Sequence, residues 1–270
     1  MPAERPSWAP QNVDLERPNA ARIYDYLLGG ACNFEQDREF ANKFLQILPG
    51  AEMAARYNRA FLRRAVRFCV EQGVRQFLDI GSGIPTVGNV HEIAQAMDPE
   101  CRVLYVDNEP VAVAHSELML EGNERAAILQ ADLCDPKTIL NSESAARLLD
   151  FDAPLALLMV AVLHFIPDSA QPHSAIAQYL DAVAPGSLFV LSHGIADRRD
   201  EEPAEVNRLY QRTTNPGVFR SRAQILALTA GTELVEPGLV WAPLWRPDSS
   251  ERMAEDPQAS LVLAGIGRKP

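Results

Sequence analysis

The sequence predicts an α/β fold, a mostly parallel sheet whose last strand is antiparallel, preceded by an N-terminal helical cap. Three observations predict it. From Val74 onward, short apolar runs alternate with helical segments, the pattern of strands covered by helices on both faces. One such run stops at Asp79 and passes directly into Gly81-Ser82-Gly83, where the missing Cβ atoms let the backbone turn sharply and approach a ligand. Upstream of Val74 lie three amphipathic helical stretches and no strand pattern.

The elements follow in order. Residues 1–17 are rich in Pro and polar side chains without hydrophobic period, so an irregular arm is expected, with Trp8 able to dock it. Residues 18–72 form the expected cap. Asn19 can cap a helix over 20–28, whose Ile23, Tyr26 and Leu27 stripe ends at Gly29-Gly30. A second helix follows Asn33, with Gln36 placed for a capping box and Phe40, Phe44, Leu45 and Leu48 on one face until Pro49-Gly50. A third spans 51–72. Its Tyr57, Phe61, Leu62, Ala65, Phe68 and Cys69 recur at three and four, while Arg59, Arg63, Arg64 and Arg67 occupy the rest.

Residues 73–270 form the expected sheet domain. Strands are predicted at 76–80, 102–106, 126–130, 154–163 and 187–191. The helices between them are 87–97, 110–121, a broken stretch 135–149, and 168–184. Pro110 suits a first helical turn and Gly122 a C-cap. A helix over 203–212 follows, then one opened by Ser221 and Gln224 that ends near Gly231. The apolar segments 233–240 and 260–266 close the chain as an antiparallel edge.

Composition narrows the function. The chain has 270 residues and a net charge of -11, which works against non-specific binding to nucleic acid or an anionic membrane and favours a small or cationic partner. Cys32, Cys69, Cys101 and Cys134 lack any metal-ligand spacing and read as reduced thiols, and no metal site is expected. No basic-then-apolar leader opens the chain, and the longest apolar run, 155–163, falls well short of the ~20 residues of a membrane span. A cytoplasmic location is expected.

The glycine turn belongs to a nucleotide-type ligand loop. A dinucleotide fingerprint places a third glycine three positions after the second, where this chain has Thr86, so an NAD-dependent oxidoreductase is disfavoured. Asp79, two residues before Gly81, instead suits a carboxylate facing the ammonium end of S-adenosylmethionine. Asp107 ends the second strand, where an acid accepts hydrogen bonds from ribose hydroxyls of either cofactor. Asp132 follows the third strand and can accept from an adenine amino group, with the Leu133 N–H available to a ring nitrogen.

Together these motifs resemble a class I, Rossmann-like, seven-stranded S-adenosylmethionine-dependent methyltransferase. The segments 21–30 with Asn33-Phe34, 58–64, 76–86 and 105–110 more narrowly resemble a bacterial family of S-adenosyl methyltransferases catalogued as a domain of unknown function. The resemblance covers about 12–267. It implies cofactor contacts at Asp79, Gly81, Gly83, Asp107, Asp132 and Leu133, to which the adjoining Ser82 and Asn108 are added, and S-adenosylhomocysteine as product. Pro85 departs from the superfamily, where a third small residue is often found.

The acceptor side is less determined. Methyl transfer is an in-line displacement that gains much from alignment and exclusion of water, and a general base is optional. His164, past the fourth strand, is placed either to take a proton from an acceptor or to cap the turn before Pro167, and His193 is a second candidate base. His91 and His115 read as structural or surface residues. Tyr24, Tyr26, Gly29, Gly30, Asn33 and Phe34 suggest an element that closes over the ligand. Arg22, Arg59 and Arg63 are candidates for the methionine carboxylate or an acidic acceptor. No Asn-Pro-Pro-Tyr-type tetrad follows the fourth strand, so an oxygen or nitrogen nucleophile of a small molecule is expected. The alternative is a protein that binds the cofactor without transferring its methyl group.

Overall fold

A computed structural model describes residues 10–11, 13–86, 88–195, 208–211, 213–218, 220–248 and 256–270. Its centre is β1 (Gln76–Ile80), buried throughout and paired in parallel with β2 (Arg102–Asp107) on one side and β4 (Ala156–Val160) on the other. β3 (Ala126–Gln130) extends the sheet beyond β2, and β5 (Leu188–Gly194) beyond β4, both in parallel. β8 (Val262–Arg268) runs antiparallel against β5 over its whole length. The order β3-β2-β1-β4-β5-β8-β6 reverses direction of travel between β1 and β4, which places the ligand crevice at the carboxyl ends of those strands.

The sheet has eight strands among the described residues, against seven expected, because the segment 233–240 divides. β6 (Glu233–Leu234) and β7 (Val240–Trp241) pair separately with β8. Pro237 has no N–H to give a ladder, and Gly238, at φ 83°, turns the chain back with its N–H on Val235 O.

Alternation along the strands sorts two core layers. Phe77, Val103, Ala156, Leu188 and Ile266 face one way and meet Phe61, Ala65 and Phe68 of α3 (Ala51–Glu71) and Val90 and Ala94 of α4 (Val90–Met97). Leu78, Leu104, Leu157 and Phe189 face the other. They meet α6 (Pro136–Leu140), α7 (Glu143–Leu148), α8 (Pro172–Ala182) and α9 (Arg222–Ala227). α5 (Pro110–Met119) lies beside β2 and β3. The third upstream helix therefore differs from its neighbours: α3 buries its stripe on the sheet. α1 (Ala20–Leu27) and α2 (Glu35–Ile47) form a separate cluster of Ile23, Leu27, Phe40, Phe44 and Tyr210.

Several boundaries move for local reasons. The strand expected over 154–163 stops at Val160, since Ala161 adopts φ 56° and Leu163–Phe165 forms a 3-10 turn. The helix expected from 168 starts at Pro172 after a separate 3-10 turn, with Gln171 left-handed at φ 53° between them. Asp37, and not Gln36, closes the first turn of α2, accepting from the Phe34 N–H at 2.8 Å. The first helix of the sheet starts at Val90 with an Asn89–Glu92 capping box, later than residue 87. Of the helix expected over 203–212, Arg208–Tyr210 are helical and Gln211 is in a turn; 203–207 and 212, like Trp8, lie outside the described residues.

Candidate active site

A cleft with a cavity volume of about 120 Å³ opens at the carboxyl ends of β1 to β4, roofed by the first turn of α1 and by Asn215. All eight predicted cofactor residues line it: Asp79, Gly81, Ser82, Gly83, Asp107, Asn108, Asp132 and Leu133. They converge because parallel strands in register end at one level, with Asp79 beside Tyr105 and Asp107 beside Gln130.

The glycine turn is sterically specified. Gly81 has φ 73°, and a Cβ there would stand 2.3 Å from Val162 Cγ2. Gly83 also has positive φ, yet a Cβ on it would meet nothing within 4 Å, so open space adjoins it. Ser82 Oγ is buried in the cleft wall without a hydrogen-bond partner. A polar atom left so is a donor and acceptor waiting for a ligand.

The acids are held differently. Burial pushes Asp79 up to about 7, with the Asp107 charge adding to the rise and Arg59 opposing it. Asp107 accepts from Gly83 N at 2.7 Å and from Glu109 N at 2.9 Å, which ties the end of β2 to the glycine turn. Burial raises it as well, against those two backbone bonds. Asp132 accepts from Cys134 N at 2.8 Å and is exposed enough to meet a ligand edge.

Of the three candidate arginines only Arg59 lines the cleft, where one guanidinium nitrogen donates to Gly88 O at 2.8 Å. Arg22 is 1% exposed and committed inside the protein. It pairs with Asp37 and Glu109, each at 2.9 Å, donates to Arg17 O and stacks on Phe34. Arg63 reaches away from the site toward Asp248.

The expected closing element divides in the same way. Tyr24 lines the cleft. Tyr26 instead donates to Asn42 Oδ1, and Gly29, Gly30 and Asn33 are not among the lining residues. The paired glycines have another cause. Asp25 accepts from Cys32 N and Asn33 Nδ2, and its carboxylate sits so close that a Cβ on Gly30 would lie 2.0 Å from Asp25 Oδ1. Gly29, at φ 82°, turns the chain off α1.

The two histidines stand behind the cleft wall. His193 is fully buried; its Nδ1 meets Gly194 O at 2.5 Å and its Nε2 meets Arg220 Nη1 at 3.0 Å. Both nitrogens are occupied, the ring is Nδ1–H, and burial pushes it down to about 4. His164 Nδ1 accepts from Gly194 N at 3.3 Å, its ring packs 4.3 Å from Phe165, and burial holds it well below its usual value. Its Nδ1 bond thus goes to β5, and its ring is what packs on the turn before Pro167. Arg220 also donates to Leu163 O, Ile166 O and Asp168, fixing the turn whose Phe165 and Ile166 do line the cleft. His91, expected to be structural, bonds Tyr105 Oη at 2.8 Å.

Sequence reasoning missed Asn58, Ala161, Ser192 and Asn215. Asn58 carried a signal: it is a polar residue on the buried stripe of α3, between Ala55 and Leu62, 3% exposed. Ser192 and Asn215 carried none. Asn215 joins the site through Asn19, whose Nδ2 donates to it at 2.9 Å across 196 positions of sequence, and through Ala20 N at 3.3 Å. Among the described residues no group of three or more His, Cys, Asp and Glu is disposed to hold a metal ion, and no helix is long and apolar enough to cross a membrane.

The chain is similar to known proteins over nearly its whole length. A search of curated proteins returned no match. A candidate methyltransferase from Thermobifida fusca YX is 38% identical, covers 98% of this chain and 99% of its own, and superposes with a TM-score of 0.91. A DUF574 family protein from Streptomyces avermitilis MA-4680 is 36% identical over 95% of this chain and 99% of its own, with a TM-score of 0.90. The N-methyltransferase NodS from Bradyrhizobium japonicum WM9, solved with S-adenosyl-l-homocysteine, is 16% identical over 92% of this chain and 99% of its own, and at a TM-score of 0.50 shares the fold. The family profile described as S-adenosyl methyltransferase matches residues 6–270, and the chain belongs to that family.

Proposed function

We propose that the protein transfers the methyl group of S-adenosylmethionine to an oxygen or nitrogen nucleophile of a small molecule, in the cytoplasm of a bacterium. The observation that carries this is the convergence of Asp79, the Gly81–Gly83 turn, Asp107, Asp132 and Leu133 on one cleft. Asp79 takes the ammonium, and Arg59 and Ser82 the carboxylate, of the methionine end. Asp107 takes the ribose hydroxyls, and Asp132 with the Leu133 N–H the adenine edge. When bound, the cofactor supplies an electrophilic sulfonium methyl, whose C–S bond breaks with the electron pair left on sulfur as the acceptor lone pair forms the new bond.

Of the remaining lining, Val162, Phe165, Ile166, Leu62 and Asn215 supply the acceptor wall. These residues orient the acceptor and exclude water, the two contributions on which methyl transfer most depends. With His164 and His193 hydrogen-bonded behind the wall, the acceptor proton leaves to solvent once the new bond has formed. Titration calorimetry with S-adenosylmethionine, S-adenosylhomocysteine and NAD tests the cofactor reading: both sulfur ligands bind, and tight NAD binding with neither of them refutes it. Release of S-adenosylhomocysteine on incubation with small phenols and amines tests transfer.

A further inference from the structure

The roof of the cleft carries an amide whose orientation is fixed by its neighbours. Asn215 Oδ1 accepts from Asn19 Nδ2 at 2.9 Å, from Ala20 N at 3.3 Å and from Thr214 Oγ1 at 2.8 Å. Ala20 N is a backbone group that can only donate. Asn19 Oδ1 is itself taken by Ala21 N at 2.8 Å, so Asn19 turns its NH₂ to Asn215. The atom of Asn215 that meets them is therefore its oxygen, and Nδ2 is turned off α1. The main-chain N–H of Asn215 is bonded as well, donating to Thr213 Oγ1 at 3.1 Å. Among the described residues nothing takes the Nδ2 protons, and the atom is open rather than enclosed. Asn215 is half-buried and lines the cleft.

Residues on either side of Asn215 place it by the acceptor wall. Tyr210 packs its ring 5.7 Å from that of Phe165, and Val218 N donates to His164 O at 2.7 Å. The stretch that carries Asn215 is thus tied to the turn after β4. In the sheet β4 lies across β1 from β2 and β3, whose ends are proposed for ribose and adenine. The wall here, Leu62, Val162, Phe165 and Ile166, is apolar and suits a hydrocarbon skeleton. An amide N–H set beside it gives a hydrogen bond without a countercharge. A neutral oxygen matches that donor, whereas a carboxylate would give up its water for an uncharged partner. We propose that Asn215 Nδ2 donates to a carbonyl oxygen of the methyl acceptor, which is an uncharged, largely apolar molecule bearing that carbonyl. Asn215 is then a specificity-determining residue, and Asn19 a positioning residue that acts through it.

This rests on the function proposed above, and the test separates the two. Acetophenone and α-methylstyrene share a skeleton and differ in a carbonyl oxygen against a methylene. Saturation-transfer NMR gives their affinities for the full chain loaded with S-adenosylhomocysteine, unmodified and as Asn215→Asp and Asn215→Leu. The probes differ in hydrophobicity, so the reading is the change in their affinity ratio between chains. Asn215→Asp keeps an oxygen for Asn19, Ala20 and Thr214 and puts a second oxygen where the NH₂ stood, so the roof stays fastened while the donor is lost. The ratio is expected to fall about three- to tenfold against acetophenone in both variants, the size of one neutral hydrogen bond, with affinity for S-adenosylhomocysteine held within about twofold. Aniline against toluene, a donor against nearly the same shape without one, should move the other way in Asn215→Asp. An unchanged acetophenone ratio, or no binding of either probe to the loaded protein, overturns the proposal and leaves the cofactor reading standing. Loss of S-adenosylhomocysteine affinity in Asn215→Asp with the ratio unchanged overturns it in favour of a contact to the cofactor. Failure of S-adenosylhomocysteine to bind the unmodified protein overturns both readings.

Discussion

With Asp79 holding the cofactor ammonium as proposed, cofactor affinity should depend on pH near neutrality. Its carboxyl is pushed up to about 7 from an ordinary 3.8, chiefly by burial, with Asp107 adding to the rise and Arg59 opposing it. The ammonium of the ligand needs the ionised form, so the apparent affinity scales with the ionised fraction. That fraction is roughly one-eleventh at about pH 6 and ten-elevenths at about pH 8, so S-adenosylhomocysteine should bind about tenfold more tightly at the higher pH. Stability of the ligand-free protein runs oppositely. The folded state keeps a proton that the unfolded chain has lost, so the contribution is complete below about pH 4 and lost as pH rises through about 7, about 4 kcal/mol in all. Asp107 and Glu109 are displaced in the same direction by burial, and Asp79→Asn separates them from Asp79. Calorimetry between pH 6 and pH 8 should show the tenfold slope in the unmodified protein and most of it gone in Asp79→Asn. A flat affinity in the former, or an undiminished slope in the latter, refutes the assignment.

Arg59→Ala should weaken S-adenosylhomocysteine roughly tenfold or more, the worth of a charged hydrogen bond, whereas Arg63→Ala leaves calorimetric affinity unchanged. Arg22→Met strands Asp37 and Glu109 as buried charges, and denaturant titration should show about 3–5 kcal/mol lost; a loss under about 1 kcal/mol contradicts the buried network. Gly81→Ala forces a Cβ to 2.3 Å from Val162 Cγ2. It should lower the melting temperature by about 2–4 °C for each kcal/mol of strain, and Val162→Ala in the same chain should return part of it.

Much of the site was legible because its residues are anchored to strand ends. Asp79, Asp107 and Asp132 each follow an apolar run, and in a parallel sheet the ends of successive runs must meet at one edge. The closing element was legible only in part. The tandem glycines were a real signal, which the structure accounts for by the Asp25 carboxylate packed on Gly30 and the turn at Gly29. The arginines show the same limit. Arg22, Arg59 and Arg63 are equivalent as sequence, all on amphipathic helices, and separate only when Asp37 and Glu109 close on the first and Asp248 draws off the third.

By itself the sequence determined the α/β class, the strand that carries the glycine turn and the acids that line the edge of the cleft proposed for the cofactor. Each is a matter of local pattern: hydrophobic period, a turn that needs positive φ, an acid at or just past the end of a strand. Only the tertiary structure decided which polar groups are spent. His193 gives both nitrogens to Gly194 and Arg220, and Ser192 and Asn58, 134 positions apart, meet at 2.6 Å beneath the cleft. Whether a side chain can do chemistry depends on what else has claimed its donors and acceptors, and those claims come from residues distant in the chain.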